Sequence, residues 1–252
     1  MTFRDLHHAA TPLVLPNAWD VPSALAFAEA GFPAIGTTSF GVASSIGRPD
    51  GGRSTKDANL ALARALSTLE AYVSVDIEDG YADDPAEVAA YVANLGVAGI
   101  NIEDSTGEAL ISPARHAAKV AAIKDRCPAL FVNARVDTFW LGQHRETTLD
   151  RALSYVEAGA DGVFVPGATD PGVLRELASA IPVPVNVLAN PALSLVELAE
   201  LGVRRVSTGS LPYRAAVHAA TEAATAVRDG GAIPAAASYS DLQARLVRYS
   251  GR

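Results

Sequence analysis

The 252-residue chain holds a single cysteine, Cys127, a single methionine and three lysines, Lys56, Lys119 and Lys124. A lone cysteine forms no intramolecular disulfide and no Cys–His spacing matches a zinc site, so a reducing, cytoplasmic setting is expected. All three lysines fall in segments of helical periodicity, which disfavours Schiff-base chemistry from a lysine at a strand end. Of the five histidines, His7 and His8 lie in the N-terminal segment, and His116, His144 and His218 in helical or loop segments. None is placed as a general base. No basic block appears, and the net charge is −8. That argues against nucleic-acid binding, which needs clustered Lys and Arg. No stretch of about 18 uninterrupted apolar residues is present, and MTFRDLHHAATP lacks the apolar run of a signal peptide, so no membrane association is expected.

What the chain does have is apolar residues, 49% of the total, enough for a substantial core. They recur in short runs that read as buried strands: Leu13 to Pro16, Ala34 to Thr37, Tyr72 to Asp76, Gly99 to Glu103, Leu130 to Arg135, Gly162 to Pro166, Pro184 to Leu188 and Arg204 to Thr208. Ala-rich segments of helical period lie between them, and Asp84-Pro85, Ser112-Pro113 and Asp170-Pro171 each set a cap residue before an N1 proline. A degenerate repeat, Ala-Gly or Leu-Gly followed by a strand, recurs at AGFPAIG, LGVAGINIE, AGADGVFV and LGVRRVSTG, each glycine ending a helix. Eight strand–helix units predict an α/β chain, a (β/α)8 TIM-type barrel over residues 1–252 with no internal linker. Leu211 to Arg228 reads as a long helix after the last strand. An extra C-terminal helix follows within residues 238–252, amphipathic from Ser240 to Tyr249, which would close the barrel bottom or pack on another subunit.

In such a barrel the chemistry sits at the strand C-terminal ends. There the sequence places Thr37-Thr38-Ser39, Asp76 with Glu78, Glu103 with Asp104, Asn133 with Arg135, Asn186, and Thr208-Gly209-Ser210. Carboxylates converging from two neighbouring strands suit a hard divalent cation, magnesium or manganese in its place, which prefers oxygen ligands and keeps some of its waters. Arg135 presents a planar guanidinium suited to a small anionic substrate, the alternative being an ion pair with Glu103 or Asp137. Asp79, Asp83 and Asp84 read as solvated loop acids or a cap. STGSLPYRAA reads as a helix cap rather than a phosphate site.

Four segments, LPNAWDVPSALAFAEAGFPAIGTTSFGVASSIGRPDG, VDIEDGYAD, GINIEDSTG and VNARVD, in this order and spacing, resemble the isocitrate lyase and phosphoenolpyruvate mutase superfamily over nearly the whole chain. The resemblance implies that Asp76 coordinates magnesium, with Glu78 and Glu103 holding it directly or through waters. It further implies catalytic roles for Asp50, in proton transfer or in orienting a metal-bound water, and for Arg135. Thr38 and Ser39 would form an oxyanion and carboxylate pocket, and Asn186 would touch substrate. The activity it implies is a magnesium-dependent lyase acting on a carbon–carbon bond of a small 2-oxo or 2-hydroxy acid, decarboxylation included, through an enolate-like species. The alternatives are phosphonopyruvate-type phosphorus–carbon chemistry and a non-catalytic metabolite-binding barrel. Lyase members carry a Lys-Lys-Cys-Gly or Lys-Arg-Cys-Gly lid, and mutase members an Asn-bearing one, where this chain runs IEDSTGEALISP into the next helix. The resemblance also implies a homodimer or homotetramer.

Overall fold

A computed structural model describes residues 1–251. Nine parallel strands form one sheet: β1 (Leu13–Leu15), β2 (Asn17–Ala18), β3 (Ala34–Thr37), β4 (Tyr72–Asp76), β5 (Gly99–Glu103), β8 (Phe131–Arg135), β9 (Gly162–Phe164), β10 (Val185–Leu188) and β11 (Val203–Ser207). Their order, β1-β11-β10-β9-β8-β5-β4-β3-β2, brings the two ends of the sheet back to the same short segment. β6 (Ser105–Thr106) and β7 (Ala109–Leu110) form a separate antiparallel hairpin after β5.

β1 and β2 are one strand broken at Pro16. Before the break Leu13–Leu15 pairs with β11, and after it Asn17–Ala18 pairs with β3. Proline has no N–H to extend the first ladder, but its carbonyl accepts from Gly36 N at 2.8 Å and so starts the second. The Asn17 side chain spans the join, its Nδ2 donating to Thr37 O at 2.8 Å and its Oδ1 accepting from Thr208 Oγ1 at 3.1 Å and Gly209 N at 2.9 Å. The ring of the expected barrel is closed there.

Strand residues alternate between the two faces. Val73, Val75, Ile100, Ile102, Val132, Ala134, Val163, Val187 and Val206 face outward into the main apolar core, which they share with the surrounding helices. The opposite set, Ser74, Asp76, Asn101, Glu103, Asn133, Arg135, Asn186, Arg205 and Ser207, is polar and faces the barrel axis. The helices are α1 (Phe3–Leu6), α2 (Val21–Glu29), α3 (Ser39–Ser45), α4 (Lys56–Leu66), α5 (Pro85–Ala93), α6 (Pro113–Arg126), α7 (Thr138–Leu141), α8 (Thr148–Glu157), α9 (Pro171–Ala180), α10 (Leu195–Glu200), α11 (Leu211–Asp229) and α12 (Tyr239–Ser250). The three prolines following a cap residue open α5, α6 and α9, where Asp84, Ser112 and Asp170 accept from backbone N–H groups. Gly31, Gly96, Gly159 and Gly202, the glycines of the degenerate repeat, all have positive φ just past a helix end.

The bottom of the barrel is plugged by α1 rather than by the last helix. Phe3 packs with Leu13, Leu15, Ala34 and Phe131 in a second small apolar cluster, and the His7 ring stacks on Phe131 at 4.1 Å. α12 lies instead against α2 of the same chain, where Arg245 and Arg248 hold Glu29, and the Tyr249 hydroxyl donates to Ala65 O at 2.7 Å. α11 runs 19 residues without burying one of them. Among the described residues, no helix is long and apolar enough to cross a membrane.

Candidate active site

A cavity of about 940 Å³ opens at the C-terminal rim of the strands. Asp76, Glu78, Glu103, Arg135, Thr38, Ser39 and Asp50, all singled out from the sequence, line it together. Asn186 does not. It is 1% exposed and exchanges hydrogen bonds with Ser207, at 3.0 and 3.2 Å, one layer behind the wall, so in this structure it has no surface to offer a substrate.

Asp76 ends β4, and its Oδ2 accepts from Ser39 N at 3.3 Å while Oδ1 is buried without a partner. Burial pushes its pKa up to about 6; the Arg135 charge opposes the rise, whereas Asp50 and Glu78 add to it. A buried carboxylate with an idle oxygen among other acids suits a cation. Thr38 caps α3, accepting from Gly41 N at 3.4 Å, and this cap turns the Ser39 amide toward Asp76.

After β4 the chain makes a tight turn in which Glu78, Gly80 and Tyr81 all have positive φ. For Glu78 and Tyr81 this is a strained conformation of the kind that collects at functional sites. It is held because Glu78 Oε2 accepts from Arg53 N at 2.7 Å and Oε1 from Thr55 Oγ1. Both Glu78 oxygens are therefore engaged by the protein. Burial raises the Glu78 pKa against those two bonds.

Glu103 and Arg135 are direct partners in the β5–β8 register and form a close ion pair through Oε1 and Nη1. Asp137 Oδ1 accepts from Arg135 Nε at 2.6 Å, so both pairings foreseen for the guanidinium exist at once. Among the described residues Arg135 Nη2 has no hydrogen-bond partner and is not one of the buried unpartnered atoms, and the Arg135 side chain lines the cavity. The rings of Trp140 and Phe164 lie 5.7 and 5.8 Å from the guanidinium carbon. Burial pushes Glu103 well above the usual carboxylate range, with Arg135 pulling it back. Asp104, its neighbour in sequence, points the other way: Arg151 and the Tyr155 hydroxyl hold it at 2.9 and 2.7 Å under α8.

Asp79 departs most from expectation. It is 1% exposed, not a solvated loop acid, and it binds Arg53, Thr106 Oγ1 at 2.6 Å and Lys119, whose Nζ also reaches Asp79 O at 2.8 Å. Burial pushes its pKa up, but the bonds from Arg53 and Thr106 with the Lys119 charge bring it below the ordinary value. Asp79 thereby ties the loop carrying Asp50 to the β6–β7 hairpin. Asp84 is the cap it was expected to be, and Asp83 stays exposed beside Arg53 and Arg115. The segment after β5 is not a bare connection. Its hairpin brings Thr106, Gly107 and Glu108 over one side of the cavity. Ser210, expected to cap α11, makes no capping bond, and the Gly209 amide is taken by Asn17.

Among the described residues, no group of three or more acidic, His or Cys side chains is arranged to hold a metal ion unaided. The donors nonetheless fit a magnesium-like ion. Asp76 Oδ1 is an idle buried oxygen, and a hard cation bound through one or two carboxylates keeps its remaining waters.

The family model for phosphoenolpyruvate phosphomutase matches residues 3–228. A Mycobacterium tuberculosis protein of uncharacterized activity is 63% identical over 254 residues, which cover 100% of this chain and 98% of that one. The 2-methylisocitrate lyase of Salmonella typhimurium is 30% identical, with coverage of 91% and 84%, and the oxaloacetate decarboxylase of Pseudomonas fluorescens is 30% identical, with coverage of 90% and 84%. Among solved structures, a lyase/mutase candidate from Burkholderia cenocepacia superposes with TM-score 0.87 at 36% identity, covering 96% and 93% of the two chains. A phosphonopyruvate hydrolase complexed with oxalate and Mg²⁺ superposes with TM-score 0.83 at 26% identity, covering 100% and 99%. The matched span takes in every strand and every rim acid described above, and the chain belongs to the phosphoenolpyruvate phosphomutase family, within the isocitrate lyase and phosphoenolpyruvate mutase superfamily of enzymes.

Proposed function

We propose that the protein is a magnesium-dependent lyase that breaks a carbon–carbon bond, decarboxylation included, in a small 2-oxo or 2-hydroxy carboxylic acid by way of an enolate. The observation that carries this reading is the opposition of Asp76, with an idle buried oxygen, and Arg135, with an idle Nη2, on the same rim. One binds a cation and the other an anion, as a chelating 2-oxo carboxylate requires. Asp76 would hold magnesium directly, and Glu78 and Glu103 through its waters. Bound there, the ion supplies Lewis-acid stabilisation of negative charge developing on oxygen. Arg135 would grip the substrate carboxylate, and the Thr38–Ser39 turn would bound the oxyanion pocket. Asp50, on the loop anchored by Arg53, would move the proton.

The relatives named as 2-methylisocitrate lyase and oxaloacetate decarboxylase support carbon–carbon cleavage. The hydrolase neighbour favours phosphonate chemistry as the second reading. Against it stands the charge of the lining, in which Arg135 and Arg214 are the only cations among six carboxylates. Incubation with magnesium and a panel of oxaloacetate, 2-methylisocitrate-type hydroxy acids and phosphonopyruvate, followed by NMR, separates the readings. Pyruvate without phosphate supports the lyase, phosphate with pyruvate supports the second reading, and silence with magnesium bound favours a non-catalytic barrel. A homodimer or homotetramer is proposed as well, because α11 presents Val217 and Val227 to solvent and, among the described residues, buries none of its own side chains.

A further inference from the structure

Arg205 is among the largest fully buried side chains of the described residues, 1% exposed, on the axis-facing side of β11. Among the described residues no carboxylate lies within ion-pair reach of it. Its Nη1 has no partner, its Nε donates to Ser207 Oγ at 3.4 Å, and its Nη2 donates to Asn101 Oδ1 at 3.0 Å. Burial pulls its pKa down to about 9, with the Asp76 charge acting in the other direction. It therefore stays cationic at neutral pH. An unpaired buried cation is costly, so its persistence beneath the floor of an acid-rich cavity asks for a role.

Asn101 is the group it controls. A guanidinium can only donate, so the Asn101 atom facing Arg205 must be the oxygen. Asn133 Nδ2 donates to the same oxygen at 2.8 Å. With Oδ1 taking two bonds the amide cannot flip, and the NH2 end is turned away from both partners. Asn101 lines the cavity, while its Nδ2 bonds to nothing in the protein and is not among the buried unpartnered atoms. The donor consequently opens onto the cavity floor, beside Asp76, the register partner of Asn101 on β4, and two residues before Glu103 on the same strand.

Building on the 2-oxo acid reading above, we infer that Asn101 is a substrate-contacting residue whose Nδ2–H donates to an anionic oxygen of the substrate, and that Arg205 is the positioning residue that fixes and polarises this amide. The ligand class is a planar 2-oxo carboxylate or its enolate, to which Arg135 and Asn101 donate from different sides. Arg205 adds positive charge under the floor without touching the ligand, which offsets the repulsion that six lining carboxylates impose on any anion.

The test uses the full chain with magnesium and oxalate, a planar dianion of enolate-like shape, as the probe. In wild-type protein the ¹⁵N-labelled side-chain amide of Asn101, assigned by its loss in Asn101→Ala, shifts on oxalate addition. Asn101→Asp replaces the donor by an acceptor of the same size while giving Arg205 a carboxylate partner. It is expected to hold or raise Tm and to weaken oxalate about 10- to 100-fold, the span of one hydrogen bond to a charged group. Arg205→Met is expected to raise KM more than it lowers kcat, with partial recovery in Arg205→Lys, which keeps the charge. Should Asn101→Asp fail to fold, Asn101→Ala and the wild-type amide shift carry the same decision. Wild-type binding of oxalate with an unmoved amide and unchanged affinity in the variants overturns this inference alone. No oxalate binding by wild type overturns it together with the lyase reading.

Discussion

Arg53 and Asp79, 26 residues apart, form a forked ion pair in which Nε donates to both carboxylate oxygens, at 2.9 and 3.0 Å, and Nη2 donates to Oδ2. The same carboxylate receives Thr106 and the buried Lys119, so one side chain fastens two loops and neutralises one interior cation. Asp79→Asn is expected to cost on the order of 3 kcal/mol, because it leaves Lys119 buried without its anion. It should also free the loop carrying Asp50, so that limited trypsin digestion cuts after Arg53 in folded protein. A digestion pattern and Tm like those of wild type would contradict this account.

Arg135→Ala removes the cation that balances Glu103 and Asp76 and that faces the cavity with a free Nη2. Oxalate affinity should fall by about 2–5 kcal/mol, the loss seen when one partner of a buried charged pair is truncated. Magnesium affinity, read without any organic anion by calorimetry, should not weaken. Equal weakening of both would mean that Arg135 only holds the rim together.

The raised pKa of Asp76 gives a pH dependence of definite sign. A carboxyl group whose folded value is about 6 against an ordinary 3.8 binds more protons folded than unfolded, so metal-free protein loses stability as pH rises from about 4 to about 6. The rise is worth on the order of 3 kcal/mol at 1.4 kcal/mol per pH unit. Magnesium should therefore raise Tm more at pH 7.5 than at pH 5, and Asp76→Asn should shrink the difference to the part owed to Glu78 and Glu103, whose carboxyls burial also raises. Thermal denaturation at the two pH values, with and without the ion, decides it.

Exposed apolar side chains on α11 predict a subunit contact. Val217→Asp with Val227→Asp should shift sedimentation toward a smaller species while leaving the circular dichroism of the barrel intact. A wild-type chain that sediments as a monomer at micromolar concentration would remove the basis for an oligomer.

The barrel and most of its rim were legible in the sequence because both follow from short-range pattern. Asp76, Glu103 and Arg135 each close an apolar run, and strand ends in a parallel barrel share one rim. Asp79 was not legible, since Arg53, Thr106 and Lys119 meet it only through the fold. Asn101 and Arg205 sit inside apolar runs, where a polar residue reads as an interruption until the axis-facing side of the barrel is seen to be polar throughout. Asn186 is grouped with the strand ends although its strand is read, and is found, to run to Leu188, so it falls one layer below the rim. α3 went unread because SFGVASS holds little beyond small and β-branched residues, and its start depends on the Thr38 cap.

The break at Pro16 makes the ring topologically a spiral whose first turn is pinned by ladders each shorter than the one between β5 and β8. Two short ladders and Asn17 join the N-terminal segment to its neighbours, whereas β5 and β8 share five residue pairs in register. Spontaneous opening should start at this join, with amides near Leu15 and Gly36 exchanging with solvent through small, frequent events while those of β5 and β8 wait for global unfolding. The fold would then come apart like an unlatched clasp rather than a burst hoop, and replacing Asn17 would lower the threshold for opening without touching the rim acids.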